Sequence, residues 1–242
     1  MKPPERTRIK ICGLTREEDV DAAAQAGADA VGFIQYEKSP RHVSIERAAE
    51  LARRLPPFVT PVLLYVNEDP RRVLQALQQI PNAWAQFHGG ETARQCLDST
   101  ARGRHPYIAV ARIPLDGAAF DLVKFCSEHP HARAVLMDAH VEGYGGAGKA
   151  FDWSRLPTSV NAHLVLSGGL TPANVADGIV QVRPRCKSLA VDVSSGVEAD
   201  TTEGVSLRGI KDPEKISRFV AAVRAADALL AKSSHVLPLP AT

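Results

Sequence analysis

Residues 7–15 read TRIKICGLT, and this stretch decides between two ways of building a parallel sheet. Side chains alternate from Arg8 to Cys12, the period-2 pattern of a strand, and the run breaks at Gly13. A dinucleotide-binding open sheet follows its first strand with a GxGxxG turn. Here the strand runs into CGLTREE, and that turn is absent. Seven further β-rich runs follow: DAVGFI (29–34), TPVLLYVN (60–67), AWAQFHG (83–89), PYIAVARI (106–113), RAVLMDAH (133–140), HLVLSGGL (163–170) and SLAVDVSSG (188–196). Their starts lie about 21 to 31 residues apart, which leaves room for one helix and two loops between strands. Amphipathic stretches fill those gaps, among them REEDVDAAAQAG, SIERAAELARRL, DPRRVLQALQQI and AFDLVKFCSEH, with capping or acidic residues near their starts. Eight such units predict an α/β fold, a single (β/α)8 TIM barrel with a parallel eight-stranded core.

One barrel domain is expected to span residues 1–242, with flexible ends at 1–7 and 233–242. VEADTTEGVSLRG (197–209) is polar and glycine-punctuated, and is expected to be a long surface loop. A net charge of +2 gives no broad field for nucleic acid or membrane. No apolar run approaches the roughly 20 residues of a membrane span, and MKPPERTRIK lacks the apolar segment of a secretory signal. Cys12, Cys96, Cys126 and Cys186 show neither CxxC nor Cys/His metal spacing, so a reducing, cytoplasmic setting is expected.

In such a barrel the C-terminal ends of the strands carry the active face. Polar residues gather there: Cys12 after strand one, Arg41 after strand two, His88 after strand four and Asp138 on strand six. Strand alternation places Lys10 and Cys12 on the inward face, with Ile9 and Ile11 toward the helices. It likewise turns Asp138 inward with Leu136, and Asp192 inward between Val191 and Val193. Lys10 and Asp192 would meet when strands one and eight close the barrel, and an unpaired inward lysine would be costly. Asp192 also counts among the substrate-binding candidates. Gly168 and Gly169 after strand seven, with Ser194, Ser195 and Gly196 after strand eight, offer backbone N–H groups where barrels hold phosphate.

Eight blocks in order carry a resemblance: KICGLT (10–15), GADAVGFI (27–34), SPRHVS (39–44), QFHGGE (86–91), GYGGAGKAFDW (143–153), LSGGLTPANV (166–175), VDVSSGVE (191–198) and IKDPEKI (210–216). Together they closely resemble the phosphoribosylanthranilate isomerase family of tryptophan biosynthesis. The resemblance implies an aldose–ketose isomerase that carries out an Amadori rearrangement of a phosphosugar without cofactor or metal. It implies Cys12 as general base, Asp138 as general acid, Arg41 as partner of the anthranilate carboxylate, and the GG and SSG segments as phosphate ligands. His88 stays open between a substrate contact and a hydrogen bond that holds the rim. Three departures stand out: Gly90 where the family usually has an acidic residue, Ala147 where it has a threonine, and the longer 197–209 segment.

The reaction needs an acid for the furanose ring oxygen and a base for the C2′ proton. A thiolate at Cys12 is expected to draw support from Lys10 on the same strand face. The small-molecule phosphosugar is the expected partner, with no nucleic acid or membrane and a monomer or homodimer as the assembly. Of the related phosphosugar barrels, an indole-glycerol-phosphate synthase would want an inward catalytic Lys with a Glu partner and a histidine-pathway isomerase an Asp where Cys12 stands, and Cys12 argues against both. A non-catalytic phosphosugar-binding barrel is the alternative of another class, and retention of both Cys12 and Asp138 speaks against it.

Overall fold

The computed structural model describes residues 6–116, 118–140 and 152–233. Eight parallel strands close on themselves: β1 (Arg8–Cys12), β2 (Ala30–Ile34), β3 (Thr60–Tyr65), β4 (Trp84–Phe87), β5 (Tyr107–Pro114), β6 (Ala134–His140), β7 (Val160–Leu166) and β8 (Cys186–Val193). The predicted eight-stranded barrel is therefore present, with β8 pairing back onto β1. Around it lie α1 (Glu17–Ala26), α2 (Ile45–Ala52), α3 (Pro70–Gln79), α4 (Ala93–Asp98), α5 (Leu122–Glu128), α6 (Val175–Val182) and α7 (Pro213–Ser233). Between β6 and β7 the described residues contribute only a 3-10 turn, Trp153–Arg155. Helix starts follow local chemistry: Asp69 accepts the Arg71 amide at 2.7 Å with Pro70 in the first position of α3, and Thr92 and Gln95 form a reciprocal capping box on α4.

Strand alternation sorts the side chains into two apolar layers, because successive residues face opposite sides of the sheet. Ile9, Ile11, Val135, Met137, Val191 and Val193 pack outward under the helices. Val62, Ile108, Val110, Leu136 and Val165 fill the barrel interior. Above this apolar floor the inward positions turn polar, and that is where the site lies. Among the described residues no helix is long and apolar enough to cross a membrane.

Three boundaries differ from expectation. β7 begins at Val160, with an irregular register between Val160 and His163, and β8 begins at Cys186. Both extensions are cross-strand paired, which short apolar runs do not announce. The 197–209 segment is not an open loop: β9 (Glu198–Asp200) and β10 (Ser206–Lys211) form an antiparallel ribbon. Its polar composition hid a buried Glu198 that ties it to the barrel. Thr7, expected in a flexible end, is fully buried. Its amide donates to Asp227 Oδ2 at 2.8 Å, its hydroxyl donates to Asp227 Oδ1 at 2.6 Å, and Arg183 also reaches both partners. Arg6 of the same expected flexible end pairs with Asp29, and Ser233 of the other closes α7. Residues 1–5 and 234–242 lie outside the described residues, as does most of GYGGAGKAFDW with Ala147.

Asp227 thus holds the entry to β1 against α7. Replacing it with alanine strands the buried Thr7 amide, and the variant is expected to unfold about 2 kcal/mol more easily in urea.

Candidate active site

Lys10 and Asp192 form the ion pair that strand parity predicts. Their Cα atoms are register partners across the β1–β8 seam, and Lys10 Nζ lies 2.7 Å from Asp192 Oδ1, with both side chains 5% exposed. Burial works to lower the Lys10 pKa, but Asp192 and then Cys12 more than offset it, so the ammonium is held charged. Cys12 follows on the same inward face and is itself buried. Burial pushes its thiol up, Lys10 pulls it down, and Asp192 adds to the rise, with the net shift upward. Lys10 thus pulls the thiol in the expected direction, but it is engaged with Asp192 and its pull is smaller than the effect of burial at the sulfur. The neighbouring strand makes room for both groups. A Cβ on Gly32 would stand 2.6 Å from Cys12 Sγ and 3.2 Å from Lys10 Cε.

Asp138 sits at the same rim on β6, three strands around from β1 by way of β8 and β7. Its Oδ1 accepts the Ala139 amide at 3.0 Å. Its Oδ2 lies 2.9 Å from His88 Nε2, and His88 Nδ1 lies 3.1 Å from the amide of Gln86. His88 thus makes the rim hydrogen bond that was one of its two expected roles. Gly168, at φ +79°, lets β7 pass close by: a Cβ there would meet Ala139 N at 2.7 Å and Asp138 Oδ1 at 2.8 Å. The Gly90 departure leaves its loop ordered, since the Gly90 amide donates to Asn67 Oδ1 at 2.8 Å and Glu91 accepts the Gly89 amide at 2.8 Å.

Arg41, expected at the substrate's carboxylate, is buried in a forked pair with Glu198. Nε and Nη2 donate to the two carboxylate oxygens at 2.6 and 2.8 Å. Lys211 joins from β10, with Nζ 3.2 Å from Glu198 Oε1 and 2.9 Å from the Ser194 carbonyl. Burial acts to raise the Glu198 pKa, yet Arg41 and Lys211 hold its carboxyl down at about 2. Burial also lowers the pKa of Lys211, in spite of Glu198. Gly13 explains the break after Cys12: at φ +76° a Cβ would lie 2.7 Å from Arg41 Cδ and 3.1 Å from Ser194 Oγ. Arg41 passes over the bare backbone to reach Glu198.

Gly168 and Gly169 both take positive φ, +79° and +64°. The Gly169 carbonyl is occupied by Asn174 Nδ2 at 2.9 Å. Ser195 begins the short 3-10 turn to Val197 that leads into β9. The glycine and serine segments thus stand at the ends of neighbouring strands, β7 and β8. Glu198, Lys211 and Gln86 were not singled out from sequence. Glu198 and Lys211 lie in quoted blocks, but a charge on a polar stretch reads as solvated until the ribbon folds over it. Gln86 precedes His88 by two residues, and that shared strand face was the available signal.

A closed parallel barrel with a thiol and a histidine-backed carboxyl on inward rim positions defines a (β/α)8-barrel enzyme of the proton-transfer class. Residues 9–222 match the family model of N-(5'-phosphoribosyl)anthranilate (PRA) isomerase. The N-(5'-phosphoribosyl)anthranilate isomerase of Leptothrix cholodnii is 56% identical over 225 residues, 93% of this chain and 94% of its own length. A solved phosphoribosyl anthranilate isomerase in complex with reduced 1-(o-carboxyphenylamino)-1-deoxyribulose 5-phosphate superposes with a TM-score of 0.71 at 34% identity, over 90% of this chain and 99% of that one. Monomers made from the dimeric enzyme of Thermotoga maritima give 0.68 at 32% identity, over 90% and 99%. The chain belongs to the N-(5'-phosphoribosyl)anthranilate isomerase family. Its reaction is the Amadori rearrangement of that substrate, in tryptophan biosynthesis.

The depressed Glu198 carboxyl makes the rim acid-sensitive. A folded pKa of about 2 against an ordinary 4.5 means its stabilisation is complete above pH 4.5 and fades as pH falls toward 2. Urea unfolding of the wild type and Glu198→Gln is expected to show a stability gap that is full at neutral pH and closes across that window.

Proposed function

We propose that Asp138 is the general acid and Cys12 the general base of this rearrangement. The observation that carries the reading is their common placement: inward on β6 and β1, at the C-terminal rim, flanking the glycine-rich ends of β7 and β8. Asp138 gives its proton to the furanose ring oxygen, the C1′–O bond breaks, and the anthranilate nitrogen's lone pair forms the C1′=N bond of a protonated Schiff base. Cys12 as thiolate then takes the C2′ proton, and that electron pair closes the C1′–C2′ enolamine. Tautomerisation moves the enol proton to C1′ and leaves the ketone. Each positioned proton transfer is worth about 10² to 10⁴ in rate.

Since burial holds the resting thiol up, the reactive thiolate is the minor form at neutral pH, kept accessible by the Lys10 ammonium. Arg41 is the partner we assign to the anthranilate carboxylate: its fork with Glu198 fixes the plane and leaves further N–H donors. The 5′-phosphate is assigned to the amides of Gly168, Gly169, Ser194, Ser195 and Gly196, which donate to no acceptor among the described residues. Asp192, anchored by Lys10, is assigned to a ribose hydroxyl. Four free cysteines support a reducing, cytoplasmic setting.

For the assembly we propose a homodimer through the N-terminal end of the barrel. Phe58 is wholly exposed there at φ +72°, at the edge of a cavity of about 830 Å³ floored by Val62, Trp84, Ile108 and Val165. A two-fold contact would bury both phenylalanines against both cavities.

Two experiments test these readings. Cys12→Ala and Asp138→Asn should each lose about 10² to 10⁴ in kcat while still binding the reduced product analogue, as followed by loss of substrate fluorescence and by titration. Full turnover by either variant removes that residue from its role. In sedimentation, the wild type should run as a dimer and Phe58→Ser as a monomer; a monomeric wild type ends the dimer proposal.

A further inference from the structure

Among the described residues, Gln86 is the one fully buried polar side chain of the barrel interior that the mechanism above does not use. It faces inward on β4, on the same strand side as His88. One end of its amide lies 3.1 Å from His88 Nδ1, and its Oε1 end has no partner among the described residues. Nothing else pins the amide, so a half-turn of the group presents His88 with either a donor or an acceptor. Nitrogen and oxygen are interchangeable in shape, and the proton on Nδ1 decides which faces it.

The two arrangements differ in what Asp138 can do. With the Gln86 NH₂ donating to a bare Nδ1, the His88 proton sits on Nε2 and is donated to an ionised Asp138 across 2.9 Å. That pair holds one proton and has none to deliver. With the Gln86 carbonyl accepting from Nδ1–H, a second proton lies between Nε2 and Oδ2, and the acid is loaded. We propose that Gln86 is a positioning residue that sets the tautomer of His88 and thereby holds the His88–Asp138 pair in its proton-loaded form. The proton given to the ring oxygen leaves from Asp138 Oδ2, while Nδ1–H stays on the Gln86 carbonyl until the pair reloads. This inference rests on the reading of Asp138 as the general acid.

Other charges face the pair from neighbouring strands. Arg112 on β5 is in register with Asp138 and shares its strand side with Ile108 and Val110. Cys12 and the Lys10–Asp192 pair face it from β1 and β8. These groups are the same in wild type and in Gln86 variants, so a shift between the variants isolates the amide.

The test is the pH dependence of kcat/KM, whose alkaline limb reports loss of the essential acid's proton. Gln86→Met leaves Nδ1–H without an acceptor and should move that limb down by about one pH unit; Gln86→Glu supplies a permanent acceptor and should move it up by a similar amount. Thermal unfolding of both variants checks that the fold survives. Limbs that coincide with wild type, or that move in the same direction in both variants, overturn the proposal. Should a variant fail to fold, the imidazole ¹⁵N spectrum of the wild-type enzyme decides. Nδ1 protonated below the limb supports the proposal, and Nδ1 bare throughout the active range overturns it. Asp138→Asn separates the two readings. Full activity there removes the acid, while the nitrogen spectrum still judges the Gln86 contact by itself.

Discussion

The Lys10–Asp192 pair sits where the barrel closes. A parallel sheet of eight strands has one seam, β1 on β8, with no local turn to set its register. A slip of one residue would turn one of the two charges outward into the apolar layer under the helices and leave the other unpaired inside, and removal of one partner from a buried pair costs about 3 to 5 kcal/mol. The pair therefore favours one register at the seam. It also shapes the chemistry directly above: the ammonium that moderates the Cys12 thiol is itself held by Asp192. Closure of the fold and tuning of the site use the same two side chains.

A second ionic assembly orders the rim. Glu198 receives Arg41 from the loop after β2, Lys211 from β10 and the Gly209 amide at 2.9 Å. Lys211 in turn reaches the Ser194 carbonyl at the end of β8. The loop after β2, the β9–β10 ribbon and the end of β8 are thus tied together through one carboxylate and Lys211, in a place where charged groups are sheltered from solvent and their geometry is fixed by several bonds at once. Such cross-links hold the loop-borne Arg41 in position against a short ribbon. Asp138 is arranged differently, with one oxygen on its own strand's backbone and the other on a histidine that is supported from below.

Glycines at the rim serve space more than flexibility. Gly13 clears the path of Arg41, Gly32 accommodates the Cys12 sulfur, and Gly168 lets β7 approach Asp138. Each is a missing methyl group opposite a functional side chain. The positions look like ordinary turn or strand residues in sequence, and their purpose is visible only once the partner strand is in place.

By itself the sequence determined the eight-strand repeat, the inward parity of Lys10, Cys12, Asp138 and Asp192, and the Lys10–Asp192 pairing, because period-2 alternation and helix-length spacing are local properties. Its ordered motifs also determined the family. Tertiary structure decided what depends on contacts distant along the chain. Arg41 meets Glu198 157 residues away, Thr7 is held by Asp227 220 residues away, and the polar 197–209 segment becomes a ribbon because its first and last residues are buried against the barrel. The state of Cys12 belongs to the same group: its residue type announces a base, but desolvation and the prior engagement of Lys10 set its affinity for a proton. Local pattern carries the direction of a side chain, and only the assembled barrel settles what meets it there.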